Sequence, residues 1–144
     1  MAVAPARIRV FRPDDCERVL ALWRATEGVG LDKSDTQEGL TRFLERNPNL
    51  SLVAEAEQGE IVGAVLCGHD GRRGYLHHLA VAKSHRGQGL GSNLVEICLR
   101  NLTQLGITKC NLHVFAANEA GLRFWQKQSW SVREDLVLVQ KLLG

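Results

Sequence analysis

Apolar positions alternate with polar ones in some stretches of the chain and recur at helical spacing in others. Alternating stretches predict strands at residues 6–11, 50–56, 60–68, 75–81, 109–115 and 137–143. Helical spacing predicts helices at residues 14–28 and 36–46, from the glycine-rich segment to about residue 105, and at 118–128. The resulting order, β-α-α-β-β-β-α-β-α-β, predicts an α/β protein with a single mixed sheet flanked by helices.

Composition narrows the class of protein without indicating a function. The chain has 144 residues, 44% hydrophobic and 24% charged, with a net charge of +2. These values predict one globular domain spanning residues 1–144, with neither a nucleic-acid nor a membrane partner. The N-terminal segment lacks the apolar core of a signal peptide, and the four cysteines are scattered through apolar stretches. We therefore expect a cytoplasmic protein with reduced thiols.

The most informative motif is the glycine-rich segment HRGQGLG at residues 85–91, between a predicted strand and a predicted helix. A helix N-terminus carries unpaired N–H groups and partial positive charge, and glycines let the backbone approach a bulky anion. The segment therefore predicts a phosphate cradle, with Arg86 adding a cation and Ser92 a hydroxyl. It lacks the Gly-Lys pair of a P-loop and the GxGxxG spacing of a dinucleotide fold. A simple helix cap needs only one glycine.

Arg86-x-x-Gly89-x-Gly91, directly after the strand HHLAV, resembles the acyl-CoA loop of the general N-acetyltransferase (GNAT) superfamily. Asn118-Glu119-Ala120 followed by Phe124 is similar to a second cofactor segment of that superfamily. The order of elements is also similar over nearly the whole chain. Within the superfamily, the chain most resembles small bacterial members related to the ribosomal-protein alanine acetyltransferases.

The resemblance implies that acetyl-CoA is the co-substrate. Backbone amides would hold its diphosphate, helped by Ser92, and the residues concerned are Arg86, Gly87, Gln88, Gly89, Leu90 and Gly91. Leu79, Ala80 and Val81 would pair with the pantetheine arm as though it were another strand. Asn118 would touch the pantetheine or the amine substrate, and Phe124 belongs to the same cofactor segment.

The implied reaction is direct attack of a primary amine on the acetyl thioester. The N–H of Leu79, freed near a strand bulge, would face the thioester oxygen. The base candidates are His77, His78, Glu55 and His113. Because neighbouring strand residues point to opposite faces, only one of His77 and His78 can face the cleft unless a bulge intervenes. A metal site at His77, His78 and His85 lacks a carboxylate or cysteine partner, so we expect no metal.

One segment departs from the family pattern. Many relatives carry FYxxxGF, in which the tyrosine protonates the leaving thiolate, whereas this chain has Trp125, Ser129 and Trp130 in place of the tyrosine, glycine and phenylalanine. An indole N–H is a poor acid, and loss of general-acid help costs roughly 10²–10⁴-fold. The departure keeps open a second hypothesis, an inactive acyl-CoA sensor. A third is an unrelated binder of ATP or NAD.

The acceptor cannot be read from the sequence. A small molecule or a peptide with a primary amine would fit. The loop from Gly28 to Asp35 is the usual specificity region of such folds, and its acidic residues, with Glu27, suit a cationic amine as well as an ordinary loop. Family resemblance alone would allow a homodimer through the last strand.

Overall fold

The computed structural model describes residues 5–144, which form two compact units, the first ending at His113 and the second comprising Val114–Gly144. The elements of the first unit are β1 (Arg7–Val10), α1 (Cys16–Arg24), α2 (Gln37–Arg46), β2 (Leu52–Glu55), β3 (Ile61–His69), β4 (Gly74–Val81), α3 (Leu90–Gln104) and β5 (Cys110–Asn111). The second unit contains α4 (Glu119–Lys127). A single domain over residues 1–144 stays a prediction.

The five strands form one sheet in the order β1-β2-β3-β4-β5. β2 pairs antiparallel with β1 and with β3, and β3 pairs antiparallel with β4. The chain therefore reverses direction between each of these strands and the next. β5 runs parallel to β4, since α3 carries the chain back to the starting end of β4. The prediction of one mixed sheet flanked by helices is therefore confirmed.

The helices cover both faces of the sheet. Side chains alternate along β3, so Ala64 and Leu66 join the core formed with α1 and α2. The neighbouring Gly63 faces α3 instead, where an added Cβ would lie 3.2 Å from a methyl group of Leu94. β3 is thus buried on both sides, which explains its nearly continuous apolar sequence. Among residues 5–144, no helix is long and apolar enough to cross a membrane.

Helix α1 begins two residues later than its sequence pattern predicts. A 3₁₀ turn at Pro13–Asp15 precedes it, and no side chain caps its N-terminus. Asp14 and Glu17 are spaced as in a capping box, but neither side chain caps this helix. The carboxylate of Asp15 is instead engaged by the arginines around it, including a 2.8 Å hydrogen bond from the backbone N–H of Arg12.

The strand predicted at residues 137–143 is wrong, and the one predicted at residues 109–115 is far shorter. The structure assigns no strand to residues 114–144, and β5 contains only Cys110 and Asn111. A segment with alternating apolar residues forms a strand only where a neighbouring strand supplies hydrogen bonds. The local sequence pattern does not show whether such a neighbour is present. Because β5 is so short, it pairs with β4 only at Gly74 and Tyr75 and leaves the rest of that edge of β4 unpaired.

Candidate functional site

The glycine loop has a backbone conformation that needs glycine at two positions. Gly87 and Gly89 have φ values of +79° and +78°, in the left-handed region that residues with a Cβ rarely adopt. Gly89 is the N-cap of α3, and no side chain caps that helix end. A Cβ added at Gly87 or Gly89 would meet nothing within 4 Å, so open space rather than packing lies beside both residues.

This loop fits the diphosphate of coenzyme A. The first turn of α3 has no acidic residue, so nothing there opposes an incoming anion. The residues from Arg86 to Gly89 are exposed, and the Nε of Arg86 donates a 2.8 Å hydrogen bond to the carbonyl of Val81. That bond ties the guanidinium group of Arg86 to the end of β4.

One edge of β4 is open along most of its length. β4 pairs with β5 only at Gly74 and Tyr75. From Leu76 to Val81, that edge has no ladder partner among the described strands. An extended ligand that carries amide groups can add to such an edge by main-chain hydrogen bonds. The open edge includes Leu79, Ala80 and Val81, the three residues expected to pair with pantetheine.

A bulge interrupts β4 on its β3 side. Ala80 lies opposite Ala64, and His77 lies opposite Leu66, so His78 and Leu79 together oppose one residue of β3. His78 has φ of +57°, which costs a residue with a Cβ about 1–2 kcal/mol. Strain of this kind persists only where the surrounding structure holds it, and it is concentrated at functional sites. The position matches that of the bulge implied by the family resemblance.

Because of the bulge, both histidines of β4 lie towards α1 and α2, rather than on opposite faces as simple alternation predicts. The ring of His77 lies 6.0 Å from that of Phe43 in α2, and the ring of His78 lies 4.9 Å from that of Trp23 in α1. Burial, with smaller contributions from His78 and His113, lowers the pKa of His77. At neutral pH, His77 is therefore an uncharged ring packed among aromatic side chains.

His78 has a carboxylate partner that the sequence did not reveal. Its Nε2 lies 3.1 Å from Oδ1 of Asp35, in the loop between α1 and α2. The side chains of His78 and Asp35 are 20% and 6% exposed. The other carboxylate oxygen of Asp35, Oδ2, accepts a 3.0 Å hydrogen bond from the backbone N–H of Asp32. Asp35 was expected only as one of three acidic loop residues, since nothing in a linear sequence pairs positions 35 and 78.

Glu55 lies at the end of β2, where its carboxylate is engaged by arginines. It accepts a 2.8 Å hydrogen bond from Arg9, with Arg7 and Arg18 at 3.5 and 3.8 Å. The hydrogen bond from Arg9 is the main cause that lowers its pKa. A carboxylate held ionised by cations is a weak proton acceptor, so we leave the role of base to the histidines.

His85, directly before the glycine loop, is buried, and sequence reasoning had considered it only as a metal ligand. Its Nδ1 lies 2.8 Å from the hydroxyl of Ser84, while its Nε2 has no partner among residues 5–144. Within those residues, no three His, Cys, Asp or Glu side chains are grouped to hold a metal ion. The burial of this ring and its contact with Ser84 give His85 a structural role that the glycine motif did not suggest.

Asn118, Phe124 and Trp125 belong to the second unit. Asn118 caps α4, its side-chain oxygen accepting a 2.9 Å hydrogen bond from the N–H of Gly121. The ring of Trp125 lies edge-to-face with the rings of Phe124 and Trp130, at 5.0 and 5.1 Å. The capping bond gives Asn118 a structural role, and contacts of Asn118 and Phe124 with coenzyme A stay predictions.

An open strand edge next to a glycine-lined helix N-terminus is an arrangement suited to an extended ligand with amide groups and a phosphate-bearing end. Residues 16–130 match the acetyltransferase (GNAT) family, and the chain belongs to that family. The prediction of an N-acetyltransferase of this superfamily is thereby confirmed.

The chain is similar in sequence to bacterial acetyltransferases and in fold to acetyltransferases of known structure. An acetyltransferase of Sodalis glossinidius (strain morsitans) is 35% identical over 136 residues, which are 94% of each chain. One from Pectobacterium atrosepticum is 34% identical and covers 94% of this chain and 95% of its own. The PaiA N-acetyltransferase of Thermoplasma acidophilum, solved with coenzyme A, has a TM-score of 0.78 at 20% identity, covering 91% and 92% of the two chains. This last likeness shows the fold.

Proposed function

We propose that this protein transfers the acetyl group of acetyl-CoA to a primary amine by direct attack of the amine on the thioester. The observation that carries the proposal is the open edge of β4, which leads directly into the glycine loop at the N-terminus of α3. The edge of β4 offers main-chain hydrogen bonds to the pantetheine arm. The glycine loop and the N-terminus of α3 offer N–H groups and a positive potential to the diphosphate.

The family resemblance assigns the residues that would hold the co-substrate, and this geometry supports the assignment. The backbone of Leu79, Ala80 and Val81 would pair with pantetheine, and the backbone from Arg86 to Gly91, with Ser92, would hold the diphosphate. When bound, acetyl-CoA supplies the thioester carbonyl that the amine attacks. The N–H of Leu79, in the bulge, would stabilise the negative charge that develops on the carbonyl oxygen.

The acceptor must lose a proton before it attacks. A lysine-type amine has a pKa of about 10.4 and an α-amino group about 8, so both are largely cationic at neutral pH. His77 and His78 lie on the strand proposed to bind the thioester, and imidazole titrates in the range that suits a base. Small-molecule and peptide amines both remain acceptors under this proposal.

Calorimetric titration with acetyl-CoA tests the donor site, with free coenzyme A, ATP and NAD as controls. Thiol release from acetyl-CoA is then followed with a panel of small-molecule and peptide amines. We expect binding of acetyl-CoA and coenzyme A, but not of ATP or NAD, and amine-dependent release of thiol. Binding of ATP or NAD alone would instead indicate the unrelated nucleotide binder.

A catalytically inactive acyl-CoA sensor is the second candidate function, and Trp125 is the residue that favours it. If Trp125 occupies the position of the family's acid, Trp125→Tyr should raise the rate of thiol release by about 10-fold or more, because a phenol can protonate the thiolate. Trp130→Tyr, which adds the same phenol at the neighbouring ring, should leave the rate unchanged. Equal rates for Trp125→Tyr and the wild type would show that the reaction does not need this acid.

A further inference from the structure

Asp35 lies in the loop between α1 and α2, and the mechanism above gives it no role. We propose that Asp35 is a positioning residue that fixes the tautomer of His78, and that His78 is the base that accepts the proton of the acceptor amine. The proposal rests on the proposed acetyl transfer and assigns its base, together with the residue that orients that base.

The hydrogen bonds of Asp35 determine which nitrogen of His78 carries the proton. An ionised carboxylate can only accept, so the 3.1 Å contact between Asp35 Oδ1 and His78 Nε2 requires a proton on Nε2. In the neutral ring, Nδ1 is then the acceptor. No described residue hydrogen-bonds to Nδ1. The side chain of His78 is 20% exposed, so it is not sealed off from solvent.

The loop holds Asp35 in place from its other side. Oδ2 accepts the backbone N–H of Asp32 at 3.0 Å, and the N–H of Asp35 in turn donates to the carbonyl of Asp32 at 3.0 Å. With one oxygen for the loop backbone and the other for His78, the carboxylate cannot rotate without losing a hydrogen bond. Asp35 is therefore a fixed acceptor rather than a mobile surface charge.

The backbone of His78 supports a role beyond packing. His78 has φ of +57° in the bulge of β4, next to the open edge expected to bind the thioester. Its ring is held between Asp35 and the edge of Trp23, whose buried indole N–H has no partner among residues 5–144. The titratable groups around it are Asp35 and Asp32 from the loop and His77 from its own strand. A strained backbone thus presents a ring with one nitrogen oriented by Asp35 and the other without a hydrogen-bond partner among the described residues.

The proposed step accounts for both protons that a cationic amine loses. One proton passes from the ammonium to Nδ1 of His78 and from there to solvent. The nitrogen lone pair forms the C–N bond to the acetyl carbon, the C–S bond breaks, and its electron pair stays on sulfur. The second proton leaves the nitrogen and neutralises the thiolate, so the products are the amide and the thiol.

Asp35→Asn is the most informative substitution, because the loop backbone determines which way the new side-chain amide is oriented. The amide oxygen must face the N–H of Asp32, since two donors would otherwise meet there. The NH₂ group then faces Nε2 of His78, so that Nε2 becomes the acceptor and Nδ1 takes the proton. The variant thus keeps the shape of the site and reverses the tautomer of the ring.

The tautomer is measured without any ligand, by ¹⁵N NMR of the imidazole rings at a pH where His78 is neutral. The wild type should show a pyridine-type shift for Nδ1 of His78, and Asp35→Asn should show it for Nε2. His78→Asn assigns the signal and keeps the backbone, since asparagine tolerates a positive φ. An unchanged tautomer in Asp35→Asn would overturn the positioning role.

The rate is measured on the best amine of the panel. Asp35→Asn and His78→Asn should each lower kcat by about 10- to 100-fold, with the KM for acetyl-CoA within about twofold, and the double variant should be no slower. Asp35→Glu should recover part of the rate. Glu38→Gln, which removes an exposed carboxylate of α2 paired only with Arg42, should match the wild type.

Each outcome distinguishes this proposal from the function on which it rests. Wild-type turnover with unchanged kcat in Asp35→Asn would overturn the role of His78 as base and leave the acetyltransferase intact. Failure of the wild type to bind acetyl-CoA would overturn the proposed function itself, whatever the tautomer. Binding without turnover on any amine would also overturn the base role and favour the sensor.

Discussion

Asp15 is 1% exposed, and its carboxylate accepts hydrogen bonds from two arginine side chains and from one backbone N–H. Both oxygens accept 2.8 Å hydrogen bonds from Arg9, and the backbone of Arg12 and the side chain of Arg18 add two more. Burial opposes ionisation of this carboxyl, but the hydrogen bonds and the positive charges outweigh it and lower its pKa. This cluster joins β1, the start of α1 and the end of β2, so its charges stabilise the unit that carries the site.

A lowered pKa predicts loss of stability in acid. The unfolded-state pKa of an aspartate is about 3.9, so Asp15 contributes its full stabilisation above that pH and loses it as the pH falls through its lower folded-state pKa. At pH 7, Asp15→Asn should lower the free energy of unfolding by about 3 kcal/mol, because the buried Arg9 loses its bidentate carboxylate partner and keeps only Glu55. The variant should also show a weaker pH dependence below about pH 4. Urea unfolding at several pH values measures both effects.

Asp14→Asn is the matched control, since Asp14 is the exposed neighbour of Asp15. It should stay within about 0.5 kcal/mol of the wild type. Similar losses for the two variants would contradict the account of the cluster.

Residue roles were the least accessible part of the site from sequence. The glycine motif was readable, because three glycines at a predicted strand–helix junction have a local physical meaning. The partners of His78 and Glu55 were not, since Asp35 and Arg9 lie far from them in the chain and only the folded structure brings them together. The bulge that turns both histidines towards the same helices leaves no signature in the alternation of β4.

At the scale of elements, α3 and α4 end in the same way, but with different residues. Gly106 follows α3 with φ of +83°, and the N–H of Ile107 donates to the carbonyl of Leu102. Ser129 follows α4 with φ of +69°, and the N–H of Trp130 donates to the carbonyl of Trp125. This helix ending favours glycine, so Ser129 adopts a strained backbone where glycine would not.

Ser129→Gly should therefore stabilise the protein by about 0.5–1 kcal/mol, because glycine removes the strain of the left-handed backbone. Urea unfolding followed by tryptophan fluorescence suits this test, since Trp125 and Trp130 lie on either side of Ser129. Gly106→Ala places a Cβ in the same backbone conformation and should destabilise by about 1 kcal/mol. A loss of stability in Ser129→Gly would contradict this reading of the helix end.

Most elements of the first unit were predictable, because each has a local pattern. Alternation located the strands from β1 to β4, and helical spacing with Thr36 as the N-cap located α2 within one residue. The two wrong or overlong strand predictions, at residues 137–143 and 109–115, share one cause. The C-terminal segment alternates as a strand does, but a strand also needs a partner edge, and β5 ends after two residues.

At the scale of the molecule, family membership and the geometry of β4 and α3 support the same function. The strand edge, the bulge and the helix N-terminus follow one another along residues 76–92, so one continuous segment carries the proposed donor site. The proposed base is on that segment, and its partner is on the loop between α1 and α2. The proposed donor site could be inferred from sequence because it is continuous, whereas the contact between Asp35 and His78 could not, because it joins distant segments.

The proposed function depends on binding of the acetyl-CoA diphosphate by the glycine loop. Gly89→Ala adds a methyl group beside the proposed anion, at a position where it meets no protein atom within 4 Å. Gly106→Ala adds the same group at a similar φ, also in open space, at the other end of the same helix. The two variants should lose similar stability, about 1 kcal/mol each. They should then differ only in that the new methyl group at residue 89 lies beside the proposed anion.

The most direct measurement is therefore calorimetric titration of acetyl-CoA into the wild type, Gly89→Ala and Gly106→Ala. We expect binding by the wild type, a Kd raised at least about tenfold in Gly89→Ala, and a Kd within about twofold of the wild type in Gly106→Ala. Absence of binding by the wild type, or equal affinity of Gly89→Ala and the wild type, would contradict this expectation.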